Sequence, residues 1–521
     1  SKSISGVALG KTNLTKIEAK SGKQVTLTWK KVSKAEGYLI YRKDTDDGKY
    51  NQIGTVTSGS TLTYTDTVKS NNKTYTYKVQ AYNTNNGKQG VGAYSSTKSA
   101  KTLAKAKITG ITSSDEEVLK ISWKKVSGAK GYIISRSTKK DSGYKEIDTV
   151  TGKTSYSDDT VKAGKTYYYK VEAYNVNSGT KGYGGASDAV AGKTAKRTKI
   201  TSIVSTNEKT LTIKWNKISG AYGYRIKRST EEDGTYKVIK TIKSGNTTSY
   251  KDTSVKAGKT YYYTVETMVK TGDNICYSGD CASVEGRTAK KAKIKYAVSN
   301  GSEQIEVKWG AVSGAYGYRI KRSTSKNGTY KVIATLKGKN NTTYQDKNLK
   351  TAKTYYYKVE TINKVNGKKG YSGDSAAVSA KTLKTTSITA VKATGSTSVK
   401  LEWKAVDGAS GYQVYRSASK DSGYKKVGQV KGKNTKTYED KTLEAGKTYY
   451  YQVRAYKSNS AKNGVASFSK AQKAWTIKQV VLSQITSDSK NQVTLGWKKI
   501  SKAEGYVIYR SSKSNSGFEK I

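Results

Sequence analysis

The 521-residue sequence contains no histidine, no proline, one methionine, two phenylalanines and two cysteines. Each scarcity excludes something. Without histidine there is no Ser-His-Asp triad, no His-Glu-x-x-His zinc site and no imidazole base. Two thiols, with four residues between them, lack the two further ligands that a structural zinc needs. No apolar run is long enough to cross a membrane as a helix, so no membrane insertion is expected, and Ser1 opens no signal peptide. A trimmed secreted chain also looks like this, so the absence does not place the protein in the cytosol. Proline normally makes up about 5% of residues, so its complete absence is systematic rather than accidental. Acidic residues are also short: 39 Asp and Glu stand against 96 Lys and Arg, for a net charge of +57. The excess is spread along the whole chain, which favours a soluble, self-repelling molecule with generic attraction to polyanions. Anionic wall polymers, acidic glycans, lipid headgroups and nucleic acid all belong to that class. Only 34% of the residues are hydrophobic. That is little for one globule, but it suffices for small units with thin two-layer cores.

What the chain does have is a period. The pattern W-x-x-[V/I]-x-x-A-x-G-Y begins at Trp29, Trp123, Trp215, Trp309, Trp403 and Trp497, in steps of 94 or 92 residues. A fixed period of this length marks a tandem array. The boundaries read as 1–102, 103–194, 195–288, 289–382, 383–476 and an incomplete 477–521.

Within each period, alternating residues precede the Trp, as in Val25-Thr-Leu27-Thr-Trp29 and Leu211-Thr-Ile213-Lys-Trp215. A second alternation follows the Gly, as in Tyr38-Leu-Ile40-Tyr41. Such period-2 patterns are strands with one buried face. A turn of Asn, Asp and Gly comes next, as in Lys326-Asn-Gly328-Thr-Tyr330. Then come Y-x-D at Tyr64, Tyr156, Tyr250, Tyr344 and Tyr438, and T-Y-x-Y-x-V beginning at Thr74, Thr166, Thr260, Thr354 and Thr448. The last strand ends near Thr102, Thr194, Thr288, Thr382 and Thr476. About seven short strands without a helical period predict an all-β fold of tandem seven-stranded Greek-key sandwiches.

The order of these motifs resembles fibronectin type III. More narrowly, it resembles the lysine- and tyrosine-rich variant found in tandem on surface and secreted proteins of Gram-positive gut bacteria. The resemblance covers essentially the whole chain. It implies a fibronectin type III-like, Ig-like sandwich in an extended array, and it implies that Tyr75, Tyr167, Tyr261, Tyr355 and Tyr449 are tyrosine-corner residues bonded back to nearby backbone. Trp29, Trp123, Trp215, Trp309, Trp403 and Trp497 are the core tryptophans. The sequence departs from that family where proline is usual: Ala163, Ala257 and Ala445 stand in the turn before the corner, and Ala104, Ala195 and Ala289 at the junctions. Removal of proline and natural bias both give this pattern.

Candidate chemistry is sparse. Asp66, Asp158, Asp252, Asp346 and Asp440 recur at one position in every period, which fits a structural role better than glycoside hydrolysis. Asp44-Thr-Asp46-Asp47-Gly48 looks like a calcium loop but lacks the downstream Glu, and reads as a hairpin turn. Cys276 and Cys281 fall in the loop joining the last two strands. A local disulfide of small effect is expected there, with free thiols as the alternative. No catalytic, cofactor-binding or metal residue is assigned, and no cofactor. Arg, the better reader of bases, is scarce, so no specific nucleic-acid partner is expected. One outward face varies among periods (Leu39, Tyr41, Ile133, Arg225, Lys227, Arg319, Lys321, Gln413 and Tyr415), either by drift or for lateral contacts.

The sixth period stops before its Y-x-D, as an excerpt of a longer array does; completion by a strand from a neighbouring molecule is the other reading. Linkers such as Ala195-Lys-Arg-Thr-Lys199 are short, which predicts a semi-rigid rod on the order of 150–200 Å. Trp475 takes a junction position and either pads the last interface or is partly buried in the ordinary way. Together these features describe a non-enzymatic extracellular or cell-surface rod, structural or adhesive. It would self-associate into fibres or hold anionic cell-wall polymers or glycans. The alternative is an accessory spacer of a secreted cell-wall or polysaccharide hydrolase.

Overall fold

The computed structural model describes residues 8–44, 48–177 and 179–521, and all regular structure in them is β. Thr45, Asp46 and Asp47, the middle of the segment read as a turn or weak calcium loop, lie outside the described residues. The chain forms two compact units. One runs through Ile203 and adds Ile213–Tyr250 and Tyr261–Glu285; the other holds Val204–Thr212, Lys251–Thr260 and Gly286–Ile521. The first unit contains the first two periods and most of the third. The second contains the fourth, fifth and sixth.

The first period shows the plan: β1 (Asn13–Ser21), β2 (Gln24–Lys30), β3 (Gly37–Asp44), β4 (Tyr50–Val56), β5 (Thr63–Thr67), β6 (Thr74–Asn85), β7 (Lys88–Val91) and β8 (Lys98–Lys101). One sheet has the order β1-β2-β5. The other has β4-β3-β6-β7, with β8 also on β6. The pairs are antiparallel. The chain changes sheet between β2 and β3, between β4 and β5, and again before β6. That is the Greek-key path of an immunoglobulin-like sandwich. The second, third, fourth and fifth periods repeat the order. The expected seventh strand is broken into β7 and β8. At the break Ser95 Oγ accepts the Val79 N–H (3.0 Å) and the Ser95 N–H donates to Val79 O (2.8 Å), so a side chain replaces one rung of the ladder. Ser187, Ser375 and Ser469 do the same for Val171, Val359 and Val453.

The repeated motif has a steric explanation. The indole of Trp29 lies across the core from the edge of Tyr38, with ring centroids 5.1 Å apart, and the pairs Trp123–Tyr132, Trp215–Tyr224, Trp309–Tyr318 and Trp403–Tyr412 lie at 5.2–5.4 Å. The phenol then reaches back to accept the main-chain N–H of the motif's Val or Ile: Val32, Val126, Ile218, Val312 and Val406. One tyrosine therefore fills the core and folds the turn between the sheets. The preceding glycine is compulsory. A Cβ on Gly317 would stand 2.1 Å from Leu336 O, and one on Gly37 2.2 Å from Val56 O. The indole N–H groups of Trp29, Trp123, Trp215, Trp309 and Trp403 are buried without a partner. Each costs about 1–3 kcal/mol, which the aromatic packing must exceed.

The sixth period has two short pairs, Leu482–Ser489 with Gln492–Trp497 and Tyr509–Arg510 with Glu519–Lys520. Val481, Ile485, Val493 and Val507 are more than half exposed. Trp475, 44% exposed, lines an open groove with Ile477, Leu482 and Trp497 rather than sealing an interface.

In the turn before the corner tyrosine the backbone is left-handed at Gly164 (φ 74°), Gly258 (71°) and Gly446 (76°), but the fourth period places Ala352 there (φ 56°). A Cβ in that conformation costs about 1–2 kcal/mol. Ala352→Gly is therefore expected to stabilise the fourth sandwich by about 1 kcal/mol, seen as slower native-state hydrogen exchange at Tyr355–Val359. Unchanged or faster exchange would contradict the strain.

Candidate functional site

Two polar constellations recur, one inside each sandwich and one between successive sandwiches. The inner one gathers four residues from three strands. β5 brings Asp66, β3 brings Arg42, and β6 brings Tyr75 and Tyr77. Arg42 Nη1 donates to both carboxylate oxygens of Asp66 (3.2 and 2.9 Å), and the Tyr77 hydroxyl donates to Oδ2 at 2.7 Å. The Arg42 guanidinium lies 5.4 Å over the Tyr75 ring. The same knot joins Arg136, Asp158, Tyr167 and Tyr169 in the second period. It recurs with Arg322, Asp346, Tyr355 and Tyr357 in the fourth, and with Arg416, Asp440, Tyr449 and Tyr451 in the fifth. In the third, Arg228 lies 4.9 Å over Tyr261.

The corner phenols take main-chain partners five residues back. Tyr75 donates to Ser70 O (2.8 Å), while Tyr167, Tyr355 and Tyr449 accept the N–H of Lys162, Lys350 and Glu444.

Burial alone would raise the Asp158 carboxyl. The hydrogen bonds from Tyr169, Thr160 and Arg136 outweigh it and hold the group below the ordinary carboxylate value. Asp440 is lowered likewise, with burial opposed by Thr442, Tyr451 and Arg416. Burial, then Asp158, push the Tyr169 phenol far above its ordinary value, so it remains a donor. Both carboxylates are buried and act as acceptors. The Arg partner escaped the sequence reading although a signal existed: Arg42, Arg136, Arg228, Arg322, Arg416 and Arg510 stand at one fixed offset after each Trp.

The variable outward face is not an open surface. Leu39 and Gln413 are buried, and the others are half-buried under their own neighbours. Arg225 bonds Glu266 and stacks 3.6 Å over Tyr277, and Arg319 bonds Glu360 and stacks 3.9 Å over Tyr371. In the first period Lys78 sits 3.6 Å over Tyr94 and 4.4 Å over Tyr50.

The second constellation lies where the β6–β7 hairpin of one period meets the β1 counterpart of the period before. In the first unit Ser113 Oγ donates to Tyr277 O (3.1 Å), and the Ile111 N–H donates to Asn274 Oδ1 (3.2 Å). In the second unit Ser205 Oγ donates to Tyr371 O (3.0 Å), and the Glu208 N–H to Ser372 O (3.0 Å). Ser299 Oγ and the Gly301 N–H both donate to Val465 O (3.0 Å each). The three serines are buried. Approach is close enough to need glycine: a Cβ on Gly184 would stand 2.6 Å from Ala104 O, and one on Gly370 2.8 Å from Ser205 N. The hydrophobic cores of successive sandwiches are not all sealed from one another. Val269 and Cys276 of the third period join the hydrophobic cluster of Trp123 and Tyr169 in the second.

The expected Cys276–Cys281 disulfide is corrected here, because both thiols are buried and free. Cys281 Sγ accepts the Val265 N–H, taking the rung that serine holds elsewhere. Cys276 Sγ instead points to Ile111 O of the preceding period at 3.7 Å. Burial pushes its pKa up to about 11, so it behaves as a small apolar residue.

At the fourth joint Glu306 is held by Lys462 (2.8 Å) from the following hairpin, with Tyr296 (2.7 Å) and Gln345 (2.7 Å). Burial would raise this carboxyl, but the bonds from Lys462, Tyr296 and Gln345 hold it below its ordinary value.

No protein-family profile matches the chain, and no curated protein does. Among solved structures, the crystal structure of chicken CNTN1 FN1-FN3 domains is similar at 17% identity, covering 54% of this chain and 99% of that one, with a TM-score of 0.25. At that score it adds no argument, and the tandem β-sandwich fold stands on the strand order.

Tyr169→Phe removes one bond to a buried carboxylate and is expected to destabilise the second sandwich by about 1.5–3 kcal/mol; native-state hydrogen exchange at Val171 measures it, and no change would contradict the knot. A lowered Glu306 pKa means that its share of joint stability is present above the ordinary glutamate pKa of about 4.3 and disappears as pH falls through the lower folded value. Carboxyl NMR should find Glu306 titrating below that ordinary value in the native chain, and moving upward in Lys462→Met. Identical titration in both chains would remove the ion pair from the account.

Proposed function

We propose that the chain is a non-enzymatic structural array working outside the cell, in which sandwiches are held in fixed succession so that it spaces or displays what it is attached to, or packs into a fibre. The carrying observation is the buried serine-to-carbonyl joint, built the same way from Ser113, Ser205 and Ser299. A chain of independent domains would need no such match. Extracellular use is supported by the Ig-like sandwich plan, by the lysine-rich surface and by the resemblance of the motifs to bacterial surface proteins. The inner knots support a structural rather than catalytic role, since Asp66, Asp158, Asp346 and Asp440 are each held by an Arg and a Tyr.

The experiment compares the full chain with a variant carrying Gly184→Gln, Gly370→Gln and Gly464→Gln, which wedges the joints without touching the knots. Small-angle X-ray scattering is expected to show a narrow distribution of sizes for the native chain and a broader one for the variant, with equal far-UV circular dichroism. A native distribution already as broad as the variant's would overturn the proposal.

A further inference from the structure

The geometry points to a binding surface for a linear phosphate-charged polymer on the corner turns of the second and fourth periods. It goes beyond the structural role proposed above and does not depend on it. In the second period the buried Thr194 organises the site. Its Oγ1 accepts the Gly164 N–H (2.9 Å) and donates to Lys162 O (3.1 Å), and its N–H donates to Lys165 O (3.3 Å). Lys196, two residues on, lays its stem across Gly164, with carbons 3.1–3.5 Å from where a Cβ would be. Lys193, one residue before, brings its ammonium to 3.3 Å from the Cβ position of Gly220, in the following turn. Thr194 thus ties together the backbone of a segment that carries Lys162, Lys165, Lys193 and Lys196, with the Lys196 stem over Gly164 and the Lys193 ammonium beside Gly220 of the third period. Lys162, Lys165 and Lys196 are exposed and Lys193 is half-buried.

Among the described residues none of these four ammonium groups makes an ion pair, although carboxylates nearby do pair elsewhere: Asp115 and Glu116 with Arg197, and Asp188 with Lys105. The fourth period repeats the device. Thr382 Oγ1 accepts the Lys353 N–H (3.1 Å) and donates to Lys350 O (2.8 Å), with Lys384 two residues beyond, while Lys381, the counterpart of Lys193, pairs with Asp407 (2.9 Å). The fifth period keeps the frame, with Thr476 Oγ1 donating to Glu444 O at 2.6 Å, but Glu444 and Trp475 replace two of the bases. The same fold thus occurs with and without the cluster.

The chemistry selects the partner. Lysine binds phosphate as a point charge, whereas bidentate recognition of carboxylate uses Arg, and Arg197 and Arg136, which lie near this turn, are already spent on acids. The aromatic ring of this turn, Tyr167, is buried beneath Arg136 with its hydroxyl on the Lys162 N–H and offers no face on which to stack a base, so the polymer recognised carries phosphate without needing nucleobases.

The test titrates the full chain with inorganic polyphosphate over a range of salt. The variant Lys162→Gln/Lys165→Gln/Lys193→Gln/Lys196→Gln is compared with a control of equal charge loss at exposed sites on the β4 counterparts, Lys145→Gln/Lys237→Gln/Lys331→Gln/Lys425→Gln. The cluster variant is expected to lower the salt slope by about 1 per lysine removed and the control to leave it nearly unchanged. Glu444→Lys/Trp475→Lys is expected to add binding. Equal losses in the two glutamine variants would show diffuse charge and no site. Tighter binding of heparin or single-stranded DNA than of polyphosphate of equal charge would overturn the choice of partner.

Discussion

The first strand of a β-sandwich is an edge, and an edge carries main-chain N–H and C=O groups with nothing on one side. The organisation of this chain follows from how that edge is covered. The hairpin of each following period is laid against it, so that Ile111, Glu208 and Gly301 donate their outward N–H groups to acceptors of the next period. Covering the edge demands close approach, which explains the glycines at 184 and 370. It also demands that hydroxyls rather than bulky groups meet the partner, which explains Ser113, Ser205 and Ser299. Where no hairpin lies on it among the described residues, as along Ile388–Gly395, the first strand is largely exposed.

Inside each sandwich a different device ties the sheets together. The carboxylate of Asp66 and its counterparts belongs to one sheet, whereas Arg42 and Tyr77 belong to the other. A buried ion pair is weak evidence for net stability, because desolvation offsets the attraction, but a misplaced sheet would leave the carboxylate uncompensated. The knot therefore fixes how the sheets face each other. The Trp–Tyr pair supplies apolar burial, and the corner tyrosine, under the guanidinium, joins the two functions. Stability and register are thus carried by different residues within one period.

Much of this was legible in the sequence. Period-2 alternation, the six tryptophans and the recurrent Thr-Tyr-x-Tyr predict sheets, cores and corners, because each depends on side-chain types repeated at fixed spacing. The Arg of the knot was equally periodic and shares the inward parity of Tyr38 and Ile40, but a charged side chain is not what alternation marks as core. The joints left a fainter trace. Their acceptors are carbonyl oxygens, which every residue carries, and their serine is replaced by Ala19 and Ala393 in the first and fifth periods. The cysteines misled for a related reason. Their proximity in sequence suggested each other as partners, whereas Cys281 completes a ladder and Cys276 faces the preceding period.

Coverage of the first-strand edge by the next hairpin is the central claim, and amide hydrogen exchange on the native 521-residue chain tests it most directly. The N–H groups of Ile111, Glu208 and Gly301 should exchange as slowly as core amides such as Val171 and Val359, while those along Ile388–Gly395 that face away from the sheet exchange fast. Rapid exchange at all three edge positions, with the core amides still protected, would contradict it.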